Sequence, residues 1–230
     1  MTDPRANSRL RGRQSLPART AGPDTPAARV LPDTPVTEDA ARLPDVTLAT
    51  LQGEPAVLRD PAAAARLVLV YRHTCPFSHE VLPVIERVTR AFHGKRLLTL
   101  GLSLGTEDDT LDAIIEHGLC FPQALDVGTV VARELGVKQT PTVLLADADG
   151  TIVARCDGRD RAALLDLLAH AARLSGADEA EVRRAAESFP LPPEHAGTPL
   201  AASPARYSDW AAATRLGSFA ARSFGFCCEK

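Results

Sequence analysis

A cysteine that follows a buried strand and opens a helix constrains the fold of this chain more than any other feature. The apolar run 67–71 lies between two arginines and is typical of a central buried strand. Cys75 and Pro76 follow this run, and apolar residues then recur at intervals of three and four, which predicts a helix. Thr140-Pro141-Thr142 comes much later. This order predicts an α/β domain whose chemistry is thiol–disulfide exchange.

Composition and periodicity divide the chain into four segments. Beginning with the strand at 67–71, the predicted elements follow the order β-α-β-α-β-α-β-β-α, which gives a mixed sheet with helices on both faces. Only the last hairpin is predicted to be antiparallel. The segments are a disordered Pro- and Arg-rich arm (1–44), the α/β domain (45–175), an extra helix (176–189), and a Pro-rich linker and tail ending in a vicinal cysteine pair (190–230).

Charge and hydropathy exclude several classes of protein. The net charge of −3 indicates neither nucleic-acid nor membrane binding. No stretch reaches the ~20 apolar residues of a membrane-spanning helix, and the arginine-rich start has no apolar signal region. We therefore predict a cytoplasmic location. The five cysteines are odd in number and irregular in spacing, so we predict no disulfide framework, no metal site and no cofactor.

The position of Cys75 favours its thiolate form. The N-terminus of a helix presents unsatisfied N–H groups and the positive end of the helix dipole, both of which lower the pKa of a thiol. Pro76 fits the first helical position, where no N–H is needed. Arg72, His73 and His79 either add positive charge near the sulfur or are ordinary surface residues.

These motifs resemble the thioredoxin superfamily, and within it the TlpA/ResA/MauD-type redoxins related to AhpC/TSA proteins. The step from Cys75 to Pro83 matches the family's step from nucleophile to helix-kinking proline, and Pro141 matches its cis-proline. The resemblance covers residues 45–172. It includes an inserted α-β segment at 104–128 that plain thioredoxin lacks.

The resemblance implies roles for particular residues. Cys75 is the expected nucleophile, and the Pro141 loop is expected to face it and pair with substrate backbone. Ser78 stands where the family has its resolving cysteine, and Leu69 stands where thioredoxin has a buried acid. The remaining expected substrate contacts are Pro76, Phe77, Thr140 and Thr142.

Because Ser78 cannot form a disulfide, another thiol must resolve any intermediate on Cys75. Three sources stay open. A small thiol such as glutathione is one, although the gap between Cys75 and the Thr-Pro-Thr motif is too long for a glutaredoxin. Cys120, in the inserted segment, is either a resolving thiol or a small core residue. Cys227 and Cys228 form either a shuttle pair on a flexible tail or an incidental pair.

We therefore predict a thiol–disulfide oxidoreductase of the thioredoxin type that contributes to cell redox homeostasis. Its partners are a protein or small-molecule disulfide and, where needed, an external thiol reductant. One alternative is a redox-inactive binding or chaperone module that holds an extended peptide along the Pro141 loop. Another is a thiol peroxidase with antioxidant activity, disfavoured because Arg72 stands where peroxiredoxins have threonine. A weaker alternative is heavy-metal handling by Cys75 and the tail cysteines.

Overall fold

A computed structural model describes residues 41–188 and 197–200 of this protein. The arm up to residue 40, the segment 189–196 and the tail from 201 onward, with Cys227 and Cys228, lie outside the described residues. The strands are β1 (Thr47–Leu48), β2 (Ala56–Val57), β3 (Ala65–Tyr71), β4 (Leu97–Ser103), β5 (Gln123–Leu125), β6 (Gln139–Thr140), β7 (Thr142–Asp147), β8 (Ile152–Asp157) and β9 (Thr198–Pro199). The helices are α1 (Pro76–Ala91), α2 (Glu107–His117), α3 (Val130–Glu134), α4 (Arg161–Ser175) and α5 (Glu179–Glu187).

Five strands form the central sheet, in the order β5-β4-β3-β7-β8. β3 lies in the middle, pairs in parallel with β4 and antiparallel with β7, and is buried along its whole length. β4 and β5 are parallel, whereas β7 and β8 form an antiparallel hairpin. Only β7 therefore runs against the other strands of this sheet, and the predicted mixed sheet is confirmed.

Apolar side chains cover both faces of the sheet, because successive residues of β3 point to opposite sides. Leu67, Leu69 and Tyr71 pack with residues from α1, α2, α4 and α5. Val68 and Val70 pack on the other side with residues from β1, β2 and α3. The predicted placement of helices on both faces is confirmed, and α2 and β5 form the inserted α-β segment. None of the helices in the described residues is long and apolar enough to cross a membrane.

Local chemistry explains where the helices begin and end. α1 begins at Pro76, continues through an internal Pro83 and ends at Ala91. α2 begins after Thr106, whose side chain forms a capping box with Asp109. Reciprocal side-chain bonds to the first free N–H groups fix the start of this helix.

Four elements differ from what the sequence predicts. β1 and β2 are only two residues long and pair with each other. α3 begins at Val130 instead of at 127, because Gly128 and Thr129 have positive φ and the Asp126 carboxylate accepts the N–H groups that follow. Within the segment predicted to be only an extended linker, Thr198–Pro199 forms a strand that pairs with β6.

Candidate active site

Cys75 is the residue that immediately precedes α1, at the end of the short turn that leaves β3. Its backbone is extended, with φ −92° and ψ 114°, and its N–H donates to the Arg72 carbonyl. This turn reverses the chain so that α1 begins at the carboxyl end of the buried strand. The side chain of Cys75 has 0% exposure, so solvent does not reach the sulfur in this arrangement.

The Pro141 loop lies directly against Cys75. The Thr140–Pro141 peptide bond is cis, and the Cys75 thiol donates to the Thr140 carbonyl at 3.3 Å. The side chains of Thr140 and Thr142 are both fully buried. The Thr142 hydroxyl lies within hydrogen-bond distance of the Gln139 carbonyl and the Asp157 carboxylate, so it supports the loop. The contact that Thr140 offers to another chain is therefore its backbone.

Ser78 lies one turn into α1 and is fully buried beside the active-site turn. Its hydroxyl accepts the N–H of Arg72 at 3.4 Å, and its own N–H donates to the Cys75 carbonyl. Pro76 is exposed, and Phe77 is half-buried beneath the Arg159 guanidinium, which lies 4.9 Å from the ring centre. Ser78 thus contributes hydrogen bonds at the site, whereas Pro76 and Phe77 contribute its outer surface.

The two buried cysteines of the described domain differ in their electrostatics. Burial raises the pKa of Cys75, but hydrogen bonds from the Thr198 hydroxyl and from the hydroxyl and amide of Ser78 outweigh it, so the pKa of Cys75 lies below its usual value. Burial raises the pKa of Cys156 to about 12. The surroundings therefore favour the thiolate form at Cys75 and the neutral thiol at Cys156.

A short C-terminal segment covers the sulfur of Cys75. We call residues 197–200 the strap. Thr198 pairs with Thr140 and Pro199 with Gln139 in antiparallel register. The Thr198 hydroxyl donates to the Cys75 sulfur at 3.1 Å.

Two further contacts hold the strap against the Pro141 loop. The Leu200 N–H donates to the Lys138 carbonyl at 2.7 Å, and the Leu200 side chain packs against the core on the α3 side of the sheet. Gly197 has φ +83°, and a Cβ atom there would lie 2.6 Å from the Thr140 carbonyl oxygen. Only glycine permits this close approach without a shift of the chain.

Cys120 lies away from Cys75, beside the C-terminal half of α1. Its N–H donates to the Glu86 carboxylate at 2.7 Å, and its sulfur accepts a hydrogen bond from Arg90 at 3.3 Å. Glu86 is eleven residues beyond Cys75 along the chain. At 1.5 Å of rise per residue this corresponds to ~16 Å along the helix axis. The structure therefore does not bring Cys120 to Cys75.

A group of potential metal ligands lies close to the active-site turn. The donor atoms of His73, His79 and Glu116 all lie within 4.8 Å of one another, and His117 contacts His79. The sequence singled out His73 and His79 only as sources of positive charge. Glu116 and His117 come from the end of a different helix, and no spacing rule links them to the cysteine motif.

Comparisons with known proteins agree with this geometry. The model of the AhpC/TSA family matches residues 40–155. No protein of curated function matches the chain. Among solved structures, a protein described as a disulfide isomerase from Bacteroides thetaiotaomicron matches with 16% identity and a TM-score of 0.55, covering 61% of this chain and 92% of its own.

Two further solved structures show the same similarity. The thioredoxin domain of a thiol-disulfide oxidoreductase from Bacteroides vulgatus has 24% identity and a TM-score of 0.51, covering 59% of this chain and 96% of its own. A protein described as the thiol:disulfide interchange protein DsbE from Chlorobium tepidum has 20% identity and a TM-score of 0.51, covering 56% and 96%. At these identities the similarity shows a thioredoxin-like fold.

Proposed function

The chain belongs to the AhpC/TSA family, and from that premise we propose that it is a thiol–disulfide oxidoreductase with one nucleophile, Cys75, in its active-site motif. The observation that carries the proposal is the environment of the Cys75 sulfur. It lies at the start of α1, against the Pro141 loop, and accepts a hydrogen bond from Thr198. A helix start and hydroxyl donors stabilise a thiolate, which is the attacking species in disulfide exchange.

The reaction begins with attack by the Cys75 thiolate on one sulfur of a substrate disulfide. The substrate S–S bond breaks, a mixed disulfide forms on Cys75, and the other substrate sulfur leaves as a thiolate and takes a proton. Ser78 offers no second sulfur. A thiol from elsewhere attacks the Cys75 sulfur, releases the second substrate thiol and leaves Cys75 in a new disulfide. The substrate gains two electrons, and an external thiol reductant restores the enzyme.

The strap indicates the class of substrate. An extended chain already pairs with Gln139–Thr140 and places the Thr198 hydroxyl 3.1 Å from the Cys75 sulfur. We propose that a protein substrate replaces the strap, adds a strand at the same edge and carries its reactive sulfur where the Thr198 hydroxyl lies. Because Cys75 has 0% exposure, the strap must leave before any disulfide reaches the sulfur.

The strap also favours the tail cysteines as the resolving thiols. Cys227 is 27 residues beyond Leu200 along the same chain. A flexible segment of this length spans roughly 30 Å, at 5–6 Å times the square root of the residue number. A tether that begins at the strap gives a thiol at its far end an effective concentration on the order of mM at Cys75. Cys120, in contrast, contacts the far half of α1.

Disulfide mapping by mass spectrometry after mild oxidation of the reduced full chain tests this mechanism. We expect a bond between Cys75 and Cys227 or Cys228 and, in a Cys227→Ser/Cys228→Ser variant, a trapped mixed disulfide between Cys75 and the substrate. Cys75→Ser should abolish reduction of insulin, used as the protein disulfide. Full insulin reduction by Cys75→Ser would overturn the assignment of Cys75 as the nucleophile. A glutathione adduct on Cys75, with no bond to the tail cysteines, would identify a small thiol instead of the tail as the resolving thiol.

A peptide-binding module is the second candidate function, favoured by the complete burial of Cys75 beneath the strap. The same full chain distinguishes the two functions. If Cys75 stays unmodified by iodoacetamide and forms no disulfide even with excess oxidised substrate, binding without chemistry is the better account. Hydrogen peroxide as the oxidant tests the peroxidase alternative in the same assay. The cytoplasmic location stays a prediction, which cell fractionation tests.

A further inference from the structure

We propose that His73, His79, Glu116 and His117 form a binding site for a divalent transition-metal ion of the zinc class. His73 lies in the turn before α1, His79 in the first turns of α1, and the other two residues at the end of α2. The donor atoms of His73, His79 and Glu116 lie within 4.8 Å of one another. Three of the four side chains thus bring their donor atoms together, and the fourth, His117, contacts His79.

The hydrogen bonds of His79 leave one ring nitrogen available for a metal. Its Nε2 lies 2.5 Å from the His73 carbonyl oxygen. A carbonyl only accepts, so Nε2 carries the proton and Nδ1 keeps its lone pair. This Nδ1 lies 2.9 Å from His117 Nε2 and 3.4 Å from a Glu116 carboxylate oxygen. A histidine that donates one N–H to a backbone carbonyl and offers the other nitrogen is the usual arrangement at a metal.

The two remaining histidines are also suited to bind a cation. Among the described residues, His73 Nδ1 is buried and has no hydrogen-bond partner. His117 Nε2 lies 2.9 Å from His79 Nδ1, so a cation bound between the two rings replaces the proton that they share. The ring centres of His73 and His117 lie 4.9 Å and 5.0 Å from that of His79, so all three imidazoles are close together.

The donor set and its spacing favour zinc. Imidazole nitrogens and a carboxylate oxygen bind Zn²⁺ at ~2.0–2.2 Å, which places neighbouring donors of a tetrahedral site about 3.3 Å apart. The separations of 2.9 Å and 3.4 Å around His79 Nδ1 bracket this value. No cysteine belongs to the set, since the Cys75 sulfur is engaged by Thr140 and Thr198. The site is therefore distinct from soft-metal binding by thiolates.

The test uses the full chain carrying Cys227→Ser/Cys228→Ser, which removes the tail thiols from the measurement. Zn²⁺ is titrated against a chromophoric chelator, and Co²⁺ is titrated separately with absorption spectroscopy. We expect one Zn²⁺ per chain and visible Co²⁺ bands of a four-coordinate site without thiolate charge-transfer absorption. His79→Gln and, as an exposed and structurally milder change, Glu116→Gln should each weaken Zn²⁺ binding by more than about tenfold.

His93→Gln serves as the matched control in the same background. His93 is exposed and lies beyond the end of α1, fourteen residues from His79, or ~21 Å along the helix axis. It should bind Zn²⁺ like the unmodified background, and circular dichroism confirms that every variant is folded. The proposal is overturned if less than one Zn²⁺ binds per chain, or if Co²⁺ shows thiolate charge-transfer bands. It is also overturned if His79→Gln and Glu116→Gln bind Zn²⁺ as tightly as His93→Gln.

Discussion

Thr198→Val isolates the effect of the strap on the chemistry of Cys75. The substitution keeps the shape of the side chain and removes the hydroxyl that lies 3.1 Å from the sulfur. A hydrogen bond to a charged group contributes ~1.5–3 kcal/mol, and 1.36 kcal/mol corresponds to one pKa unit. Because Thr198 is only half-buried, we take the lower end and expect the pKa of Cys75 to rise by about 1 unit.

The pH dependence of alkylation by iodoacetamide measures this shift. Its midpoint reports the pKa of Cys75, whereas its high-pH plateau reports how often the strap opens. Because iodoacetamide reaches the sulfur only after the strap and Thr198 have left, we expect the midpoint of the variant to move to higher pH by about 1 unit and its high-pH plateau to rise, since the hydrogen bond no longer holds the strap on the thiolate. The control is Thr89→Val, which removes a hydroxyl that bonds to Thr99, fourteen residues along α1 from Cys75. Equal midpoints for Thr198→Val and the unmodified chain would refute the reasoning.

Two further substitutions test the strap and the hairpin. In Gly197→Val the Cβ atom alone would lie 2.6 Å from the Thr140 carbonyl oxygen, so we expect a displaced strap and a higher alkylation plateau. The control is Gly53→Val, which also lies at a positive φ but faces open space and should leave the plateau unchanged. If both variants alkylate alike, the strap does not control access. Burial raises the pKa of Asp157, but the hydrogen bond from Arg155 and other favourable contacts outweigh it and hold the pKa below the usual value. This stabilisation is present above about pH 4 and is lost as the pH falls through the lower pKa of the folded state. The melting temperature of Asp157→Asn should therefore fall less steeply with acidification than that of the unmodified chain. An equal pH dependence of the two melting temperatures contradicts the assignment.

The fold was predictable because its signals are local and strong. The run at 67–71 has the uniform burial of a central strand, and the apolar spacing after Pro76 belongs to one helix face. Thr106 with Asp109 marks a helix start within four residues of sequence. Each of these signals depends on neighbours along the chain. The resemblance to thioredoxin-like proteins then supplied the contact between Cys75 and the Pro141 loop.

The strap and the histidine cluster were not predictable, because both depend on contacts between distant segments. Thr198 and Cys75 are separated by 123 positions. A two-residue strand that contains a proline has no measurable alternation and reads as linker. His79 and His117 meet only because α1 and α2 pack together, 38 positions apart in sequence. Periodicity carries no information about such pairs.

The strap holds the sheet edge through few hydrogen bonds. The Leu200 N–H donates to the Lys138 carbonyl, which makes Pro199 and Gln139 a pair whose N–H positions point away from the partner strand, so the proline costs no bond to β6. Each intramolecular hydrogen bond contributes only about 1 kcal/mol net, and a four-residue occupant makes few of them. Such an occupant behaves as a built-in competitor whose strength sets an affinity threshold. We expect a segment that pairs with more of this edge to clear that threshold and a segment that pairs as weakly as the strap to be excluded, so that backbone pairing selects a protein substrate before any sulfur reacts.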